Sequence, residues 1–286
     1  MWTTFVPCDT SFPVDRTIQA EWIKPIMEES YKQILQNSID DHDKARLLAI
    51  KSQHASDYLN CIPIASLGLK LTNPQLCTAI GLRLGLPLCH PHICSACGVE
   101  VSDLGTHGLS CKKSKGRWSR HTQMNNIIQR ALTSGGIPSI LEPPGMYNDS
   151  NKAPDGASLV PYKRGRILVW DFSSSCTLAN SYLATTSKEA GKLAIMKENR
   201  KLAKYTELAK EYEFFPVIVE TLGCFGPYAT KLLDEIGSLI VEQTKEPRAK
   251  KFLYQRISIA LQVHNSVCIY GTLPDANNSM KYSIFK

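Results

Sequence analysis

The stretch Ile167-Leu168-Val169-Trp170-Asp171 decides the fold class of this chain. Four consecutive apolar residues, two of them β-branched, are typical of a strand that is buried on both faces. A second run of this kind covers residues 214–219, where Pro216 is tolerable near the start of a strand. A segment with helical character separates the two runs. This order predicts an α/β core in which helices cover a sheet.

Further elements surround these two strands. An apolar stripe at helical spacing precedes them, and Gly135-Gly136 ends it. The stripe consists of Met124, Ile127, Ile128, Ala131 and Leu132. Residues 137–141 predict a short strand, residues 187–212 a long lysine-rich helix, and residues 232–240 and 253–261 two final helices. The predicted order is helix, strand, turn, strand, helix, strand, helix, helix.

Composition divides the chain into four segments. Residues 1–86 show charged stretches with helical spacing and predict a helical N-terminal segment, while residues 87–118 are rich in proline and glycine. Residues 119–272 carry the predicted α/β core, and residues 273–286 form a C-terminal tail.

Length and composition exclude several classes of protein. The chain has 286 residues, of which 43% are hydrophobic and 21% charged, and these values are typical of a soluble globular protein. No apolar run approaches the roughly 18 residues of a membrane-spanning helix, so we expect no membrane partner. The N-terminus lacks the pattern of a signal peptide. The net charge of +7 favours an anionic partner.

Cysteine and histidine residues form the strongest local pattern, Cys94-x2-Cys97-x9-His107-x3-Cys111. Thiolate and imidazole ligands at four positions favour Zn²⁺ in a closed, structural site. Cys89, His90 and His92 are alternative ligands nearby. Ten cysteines, most of them scattered in apolar surroundings, fit a reducing compartment better than a disulfide scaffold.

A cluster of cations follows the cysteine segment directly. It comprises Lys112, Lys113, Lys115, Arg117 and Arg120, with Trp118 among them and no acidic residue. The cations predict contacts to phosphates, and the indole is available to stack on a base. The alternative is a solvated basic loop.

Two aspartates form a second candidate site. Asp155 follows Pro154 at a turn, and Asp171 is predicted to end the buried strand. If they lie on neighbouring strands, their carboxylates share a hard divalent ion such as Mg²⁺ or Mn²⁺, which activates water for attack on a phosphodiester. The alternative is that Asp155 is a turn residue and Asp171 a strand cap. Glu142 is a further candidate ligand.

One lysine stripe lies close to these aspartates in the sequence. Lys197, Lys201 and Lys204 recur at i, i+4 and i+7, which places them on one face of the predicted helix. A lysine of this face is suited to orient the attacking water or to neutralise charge on the phosphate. The alternative is a solvated helix face.

Taken in order, these pieces resemble the C-terminal part of the polyprotein of non-LTR retrotransposons that carry a restriction-enzyme-like endonuclease. The resemblance covers roughly residues 50–272. Its pieces are residues 54–59 (HASDYL) with Pro63, Arg83-Leu84-Gly85, the Cys-Cys-His-Cys knuckle, Gly116-Arg117 with Arg120-His121, Glu142-Pro143, Pro154-Asp155-Gly156, Trp170-Asp171, Lys201-x2-Lys204-Tyr205, and Pro216 with Glu220-Thr221-x-Gly223.

This resemblance implies a PD-(D/E)XK restriction-endonuclease-like core preceded by a CCHC zinc knuckle. It implies a nuclease that nicks target DNA to prime reverse transcription, with Asp155 and Asp171 as the ligands of a catalytic Mg²⁺ or Mn²⁺. Lys201, Lys204 and Tyr205 match the basic motif that this family places on the following helix, whereas Ser173 stands where the plain order has a lysine.

The chain has no Tyr-x-Asp-Asp polymerase motif, so residues 1–86 would correspond to a polymerase thumb and linker. The implied partners are a DNA target, the RNA of the element and a separate reverse transcriptase chain. The substrate implies the nucleus, with the cytoplasm as the alternative. Two other interpretations stay open, namely a nucleic-acid-binding fragment without catalysis and a decayed reading frame.

Overall fold

The computed structural model describes residues 19–146 and 153–274. The helices in these ranges are α1 (Gln19–Gln36), α2 (Asp41–Lys51), α3 (Asn73–Leu84), α4 (His107–Ser110), α5 (Lys115–Ser134), α6 (Leu183–Thr186), α7 (Lys192–Lys204), α8 (Leu208–Glu211), α9 (Pro227–Thr244) and α10 (Ala249–Tyr270). The strands are β1 (His92–Ile93), β2 (Glu100–Val101), β3 (Ser139–Leu141), β4 (Gly156–Lys163), β5 (Arg166–Ser175) and β6 (Glu213–Glu220). The mixed α/β class is therefore confirmed.

One four-stranded mixed sheet organises the core in the order β3-β4-β5-β6. Strand β4 pairs with β3 and with β5 in antiparallel, and β6 pairs with β5 in parallel. The parallel pair needs a crossover connection, which α6, α7 and α8 supply. Helices therefore lie on both faces of the sheet.

Alternation along β5 assigns its side chains to the two faces. Leu168, Trp170 and Phe172 point to the face covered by α5, α9 and α10. Val169 points to the other face, where it packs with Tyr205 at the end of α7. Asp171 has the same parity as Val169, so its carboxyl group also faces α7.

Three details of the predicted elements are wrong. Asp171 does not end the buried strand, because β5 continues to Ser175 along β6. The long helix over residues 187–212 is broken near Tyr205 into α7 and the single turn α8. The sequence pattern missed strand β4. This strand does not have the pattern of a buried strand, because Leu159 and Val160 are exposed and Pro161 follows them.

A second hydrophobic core joins the segments that composition separates. It unites residues of α2, α3, α4 and α10 with the connection that follows β5. Gly108 in α4 and Gly116 in α5 both lie directly against the backbone of Cys268 in α10, where a methyl group would overlap it. The described part of the N-terminal segment, residues 19–86, is predominantly helical. In this described part, no helix is long and apolar enough to cross a membrane.

One carboxyl group is buried at the end of β6. Glu220 is inaccessible to solvent, and its Oε1 accepts a hydrogen bond from the backbone N–H of Ala194 at 3.1 Å. Burial raises the pKa of Glu220 from 4.5 to about 7. The folded state therefore holds this proton more tightly than the unfolded state. The corresponding stabilisation is complete below pH 4.5 and is lost as the pH rises through about 7.

We expect Glu220→Gln to weaken the pH dependence of stability. Between about pH 5 and pH 8, the free energy of unfolding of the variant should fall by roughly 2–3 kcal/mol less than that of the wild type. Urea unfolding at both pH values measures this difference. Glu207→Gln, at a highly exposed carboxylate, is the matched control and should behave as the wild type. Equal pH slopes in both variants would contradict the assignment.

Candidate active site and metal centre

Asp155 and Asp171 lie side by side at one end of the β4–β5 pair. Asp155 immediately precedes β4, and its backbone N–H donates to the carbonyl of Trp170 at 3.0 Å. Asp155 Oδ2 accepts a hydrogen bond from the backbone N–H of Phe172 at 2.6 Å. This contact with the residue after Asp171 brings the two carboxyl groups close together, so that the charge of Asp155 adds to the effect of burial and raises the pKa of Asp171. The backbone N–H of Glu142 donates to the carbonyl of Asp155 at 2.9 Å and anchors the preceding turn.

Lys201 reaches this carboxylate pair from α7. Its Nζ lies 2.8 Å from Asp171 Oδ2 and donates to the carbonyl oxygens of Asp171 and Phe172 at 3.2 and 3.1 Å. Both charged side chains are largely buried, with exposed fractions of 15% for Lys201 and 12% for Asp171. The lysine is therefore held over the C-terminal half of β5 in a fixed position.

His121 is the fourth member of this cluster, and its ring is held by a chain of hydrogen bonds. Trp170 Nε1 donates to Asn125 Oδ1 at 3.0 Å, which turns the Asn125 amide nitrogen toward His121 Nδ1 at 3.3 Å. His121 Nε2 lies 3.1 Å from Asp155 Oδ2. Because the indole nitrogen is only a donor, this chain places the proton of neutral His121 on Nε2.

The pKa values of the two aspartates shift in opposite directions. Burial acts to raise the pKa of Asp155, but the hydrogen bond from His121 and the charge of Lys201 outweigh it, and the net pKa is lowered. Burial raises the pKa of Asp171 against the opposing effect of Lys201. Burial also lowers the pKa of Lys201, and the hydrogen bond to Asp155 raises the pKa of His121. A group that adds positive charge here would offset the buried negative charge of Asp171.

The two other residues of the predicted basic motif lie beside this cluster. Lys204 Nζ contacts the hydroxyl of Tyr205 at 3.1 Å and lies 4.6 Å from the centre of its ring. Tyr205 is buried, and its hydroxyl donates to the carbonyl of Ala153 at 3.3 Å. Tyr205 thus supports the backbone that leads into Asp155, and Lys201 is the lysine that contacts the carboxylate of Asp171.

The Cys-Cys-His-Cys residues converge on one point. The ligand atoms of Cys94, Cys97, His107 and Cys111 all lie within 4.8 Å of one another, and Cys97 Sγ lies 3.2 Å from His107 Nε2. Cys94 and Cys97 belong to the turn between β1 and β2, where Gly98 adopts a φ of +77°. His107 and Cys111 bracket the single turn of α4.

The chemistry of these groups fits a zinc ion. A backbone hydrogen bond from Val99 is the main cause that lowers the pKa of Cys97, and burial lowers the pKa of His107. Both shifts favour the thiolate and neutral imidazole that bind Zn²⁺, whereas burial raises the pKa of Cys111. Three thiolates and one imidazole form a closed set of four ligands, which is typical of a structural site.

The alternative ligands have other contacts. His92 Nε2 lies 3.0 Å from Thr272 Oγ1, and its Nδ1 lies 2.8 Å from the carbonyl of His90. Cys89 Sγ contacts the carbonyl of Ser102 at 3.4 Å. Among the described residues, none of these three side chains joins the Cys3His cluster.

Most of the residues predicted to contact nucleic acid are exposed, and one of them is buried. Lys112, Lys113, Lys115 and Arg117 are exposed around the start of α5, and Trp118 is 79% exposed. Arg120 is the exception, because it is buried against α10 and its Nη1 donates to Asn265 Oδ1 at 3.0 Å. The prediction that Arg120 contacts nucleic acid is therefore corrected, and its role here is structural. It lies on the core-facing side of α5, with Met124 and Ile127.

Sequence reasoning did not assign a role to His121 or Asn125. The two residues are four positions apart and lie at the edge of the apolar stripe of α5, a spacing that brings them together on a helix. Two polar side chains at this edge were the available signal. Their convergence on Trp170 and Asp155 depends on the tertiary packing of α5 on β5.

Comparisons with known proteins do not assign the chain to a family. No protein-family model matches it, and no curated protein sequence matches it at a significant level.

We expect the Cys3His cluster to hold one zinc ion per chain. Cys97→Ser should lose the metal and lower the melting temperature by an amount on the order of 10 °C, because α4 packs on α10 and the cluster closes this contact. Metal content by mass spectrometry and thermal unfolding check both outcomes. Cys89→Ser is the matched control and should retain zinc and the wild-type melting temperature.

Two results would contradict this assignment. One is the loss of zinc from the Cys89→Ser variant, which would place Cys89 among the ligands. The other is a wild-type chain that carries no zinc after expression with zinc in the medium.

Proposed function

We propose that this chain is a metal-dependent DNA endonuclease of the restriction-enzyme-like type that non-LTR retrotransposons carry. The observation that carries the proposal is the contact of Lys201 with Asp171, beside Asp155, which immediately precedes the neighbouring strand β4. Two carboxylates on adjacent strands and one lysine are the groups that a PD-(D/E)XK nuclease requires. Here the lysine comes from α7, in place of the Ser173 position on β5.

The carboxylate pair fits a hard divalent ion. Asp155 and Asp171 present oxygen ligands at one place, and the single charge of Lys201 balances only one of the two carboxylates when His121 is neutral. These two residues would hold Mg²⁺ or Mn²⁺. When bound, the ion supplies an activated water and stabilises charge on the phosphate.

The side chains of this protein then have separate roles. Hydrolysis adds the oxygen of water to phosphorus and breaks one P–O ester bond, and negative charge increases on the phosphate oxygens. Lys201 provides a positive charge close to both carboxylates, where it orients the water and offsets this charge. His121 holds the carboxylate of Asp155 in place, and Asn125 holds the His121 ring.

Binding of DNA is supported by the exposed cations at the start of α5. Lys112, Lys113, Lys115 and Arg117 precede His121 on the same helix or on the turn before it. They offer phosphate contacts without a neighbouring acid in the sequence. Since DNA is the proposed substrate, the nucleus is the proposed location.

Substitution of the carboxylates tests the cleavage reaction. In an assay of supercoiled plasmid with Mg²⁺ or Mn²⁺, Asp155→Asn and Asp171→Asn should each lower the nicking rate about a hundredfold or more. DNA affinity should change little, because neither residue is needed for contacts with distant phosphates. Glu207→Gln is the control and should nick as the wild type does. If all four folded proteins nick the plasmid at the same rate, the nicking is background. The chain would then be a nucleic-acid-binding fragment without catalysis.

Substitution of the lysines tests their division of roles. Lys201→Met should abolish nicking, because it removes the charge beside Asp171, whereas Lys204→Met should cause a much smaller loss. The same plasmid assay, with circular dichroism as a check of folding, measures the two rates. A larger loss in the Lys204 variant would contradict the assignment of Lys201 to the reacting phosphate.

A further inference from the structure

A groove lies between α5 and α10, away from the carboxylate cluster. Its volume is about 300 Å³, and its polar lining comes from Gln123, Asn126 and Arg130 of α5 and from Arg256 and His264 of α10. None of the described residues that line it is acidic. Both arginines are exposed. The groove is therefore a cationic surface with amide hydrogen-bonding groups.

This groove and the carboxylate cluster lie on opposite edges of one helix. Residues Gln123, Asn126 and Arg130 form a single stripe of α5. At about 100° per residue, Gln123 is rotated roughly 200° from His121, which faces Asp155. Ser119 lies at the start of this stripe, and its Oγ is 3.2 Å from His264 Nδ1.

An apolar cavity adjoins the groove and shares both arginines with it. Its volume is about 360 Å³, and Arg130 and Arg256 line it together with aliphatic side chains and Phe252. Phe252 is 42% exposed, and Ile62 on the same lining is 70% exposed. A polar, positively charged groove and an open apolar cavity thus meet at two guanidinium groups.

We propose that these adjoining cavities bind a single-stranded segment of the DNA substrate, an inference that rests on the proposed function. The two arginines take successive phosphates, and an unpaired base enters the apolar cavity against Phe252. A duplex does not offer such a base, because its bases are paired and stacked inside. The combination of cation and apolar cavity therefore favours a single strand.

The face of α5 between the two sites is exposed and carries no acidic residue. Lys115 and Trp118 lie on the exposed face of α5, between the edge that carries His121 and the edge that carries Arg130. Trp118 is available to stack on a base along this path. Arg256 is already held in place, since its Nη2 donates to the carbonyl of Leu67 at 3.1 Å. A strand that leaves the cut site can cross this face and enter the groove.

Binding of a labelled single strand tests the inference without any cleavage step. Fluorescence anisotropy of a fluorescein-labelled oligodeoxynucleotide of about 15 nucleotides is measured on the full chain, without Mg²⁺, over a range of NaCl concentrations. Loss of two phosphate contacts lowers the slope of log affinity against log salt by about 1.4. We expect this slope change, with at least about tenfold weaker binding, for Arg130→Gln/Arg256→Gln.

Matched variants distinguish binding in the groove from a general effect of positive charge on affinity. Arg166→Gln removes an exposed arginine at the start of β5 and should leave affinity unchanged. The assay contains no Mg²⁺ and measures binding alone, so a failure of plasmid nicking does not affect this test. Phe252→Ala should weaken binding of the single strand but not of a blunt duplex. If the double variant is unfolded, Arg130→Gln alone should give a slope change of about 0.7.

Three outcomes would overturn the inference. The first is an unchanged affinity in the arginine variant, and the second is an equal loss in Arg166→Gln. The third is a loss of blunt-duplex affinity in Phe252→Ala that equals its loss of single-strand affinity, or tighter binding of a single-stranded RNA of the same sequence than of the single-stranded DNA.

Discussion

The contacts of Trp170 are the interactions on which the rest of the site depends. Its side chain is fully buried beneath α5, and its carbonyl pairs with the backbone N–H of Asp155. Its indole N–H orients Asn125, which in turn orients His121 toward Asp155. Gly156 is required beside the ring, because a methyl group there would overlap the indole. One buried aromatic residue thus links the hydrophobic core to the position of the first carboxylate.

The elements that the sequence predicted well are those whose pattern is local. The apolar run before Asp171 and the stripe of α5 identify their elements directly, and the Cys3His spacing predicts a cluster that the structure brings together. Other features depend on tertiary packing, which a local pattern does not contain. Arg120 looks like a surface cation in the sequence, yet the rotation of α5 turns it toward Asn265. The choice of Lys201 over Lys204 depends on where α7 crosses β5.

The cysteine segment is small, yet it is tied closely to the remainder of the molecule. Its short hairpin and single helical turn provide few apolar side chains of their own, apart from the buried Val101 and Leu109. Gly108 and Gly116 allow its backbone to approach α10 without an intervening side chain. A metal ion at the cluster and this close backbone contact are two ways to stabilise a segment that lacks a large core.

Helix α5 begins four residues after Cys111 and carries Arg117, His121 and Arg130 along one rigid element. At about 1.5 Å per residue, Arg117 and Arg130 are separated by roughly 20 Å along its axis. The helix therefore fixes the axial distance between the two arginine positions. Two groups that contact these arginines at the same time must therefore be separated by a comparable distance.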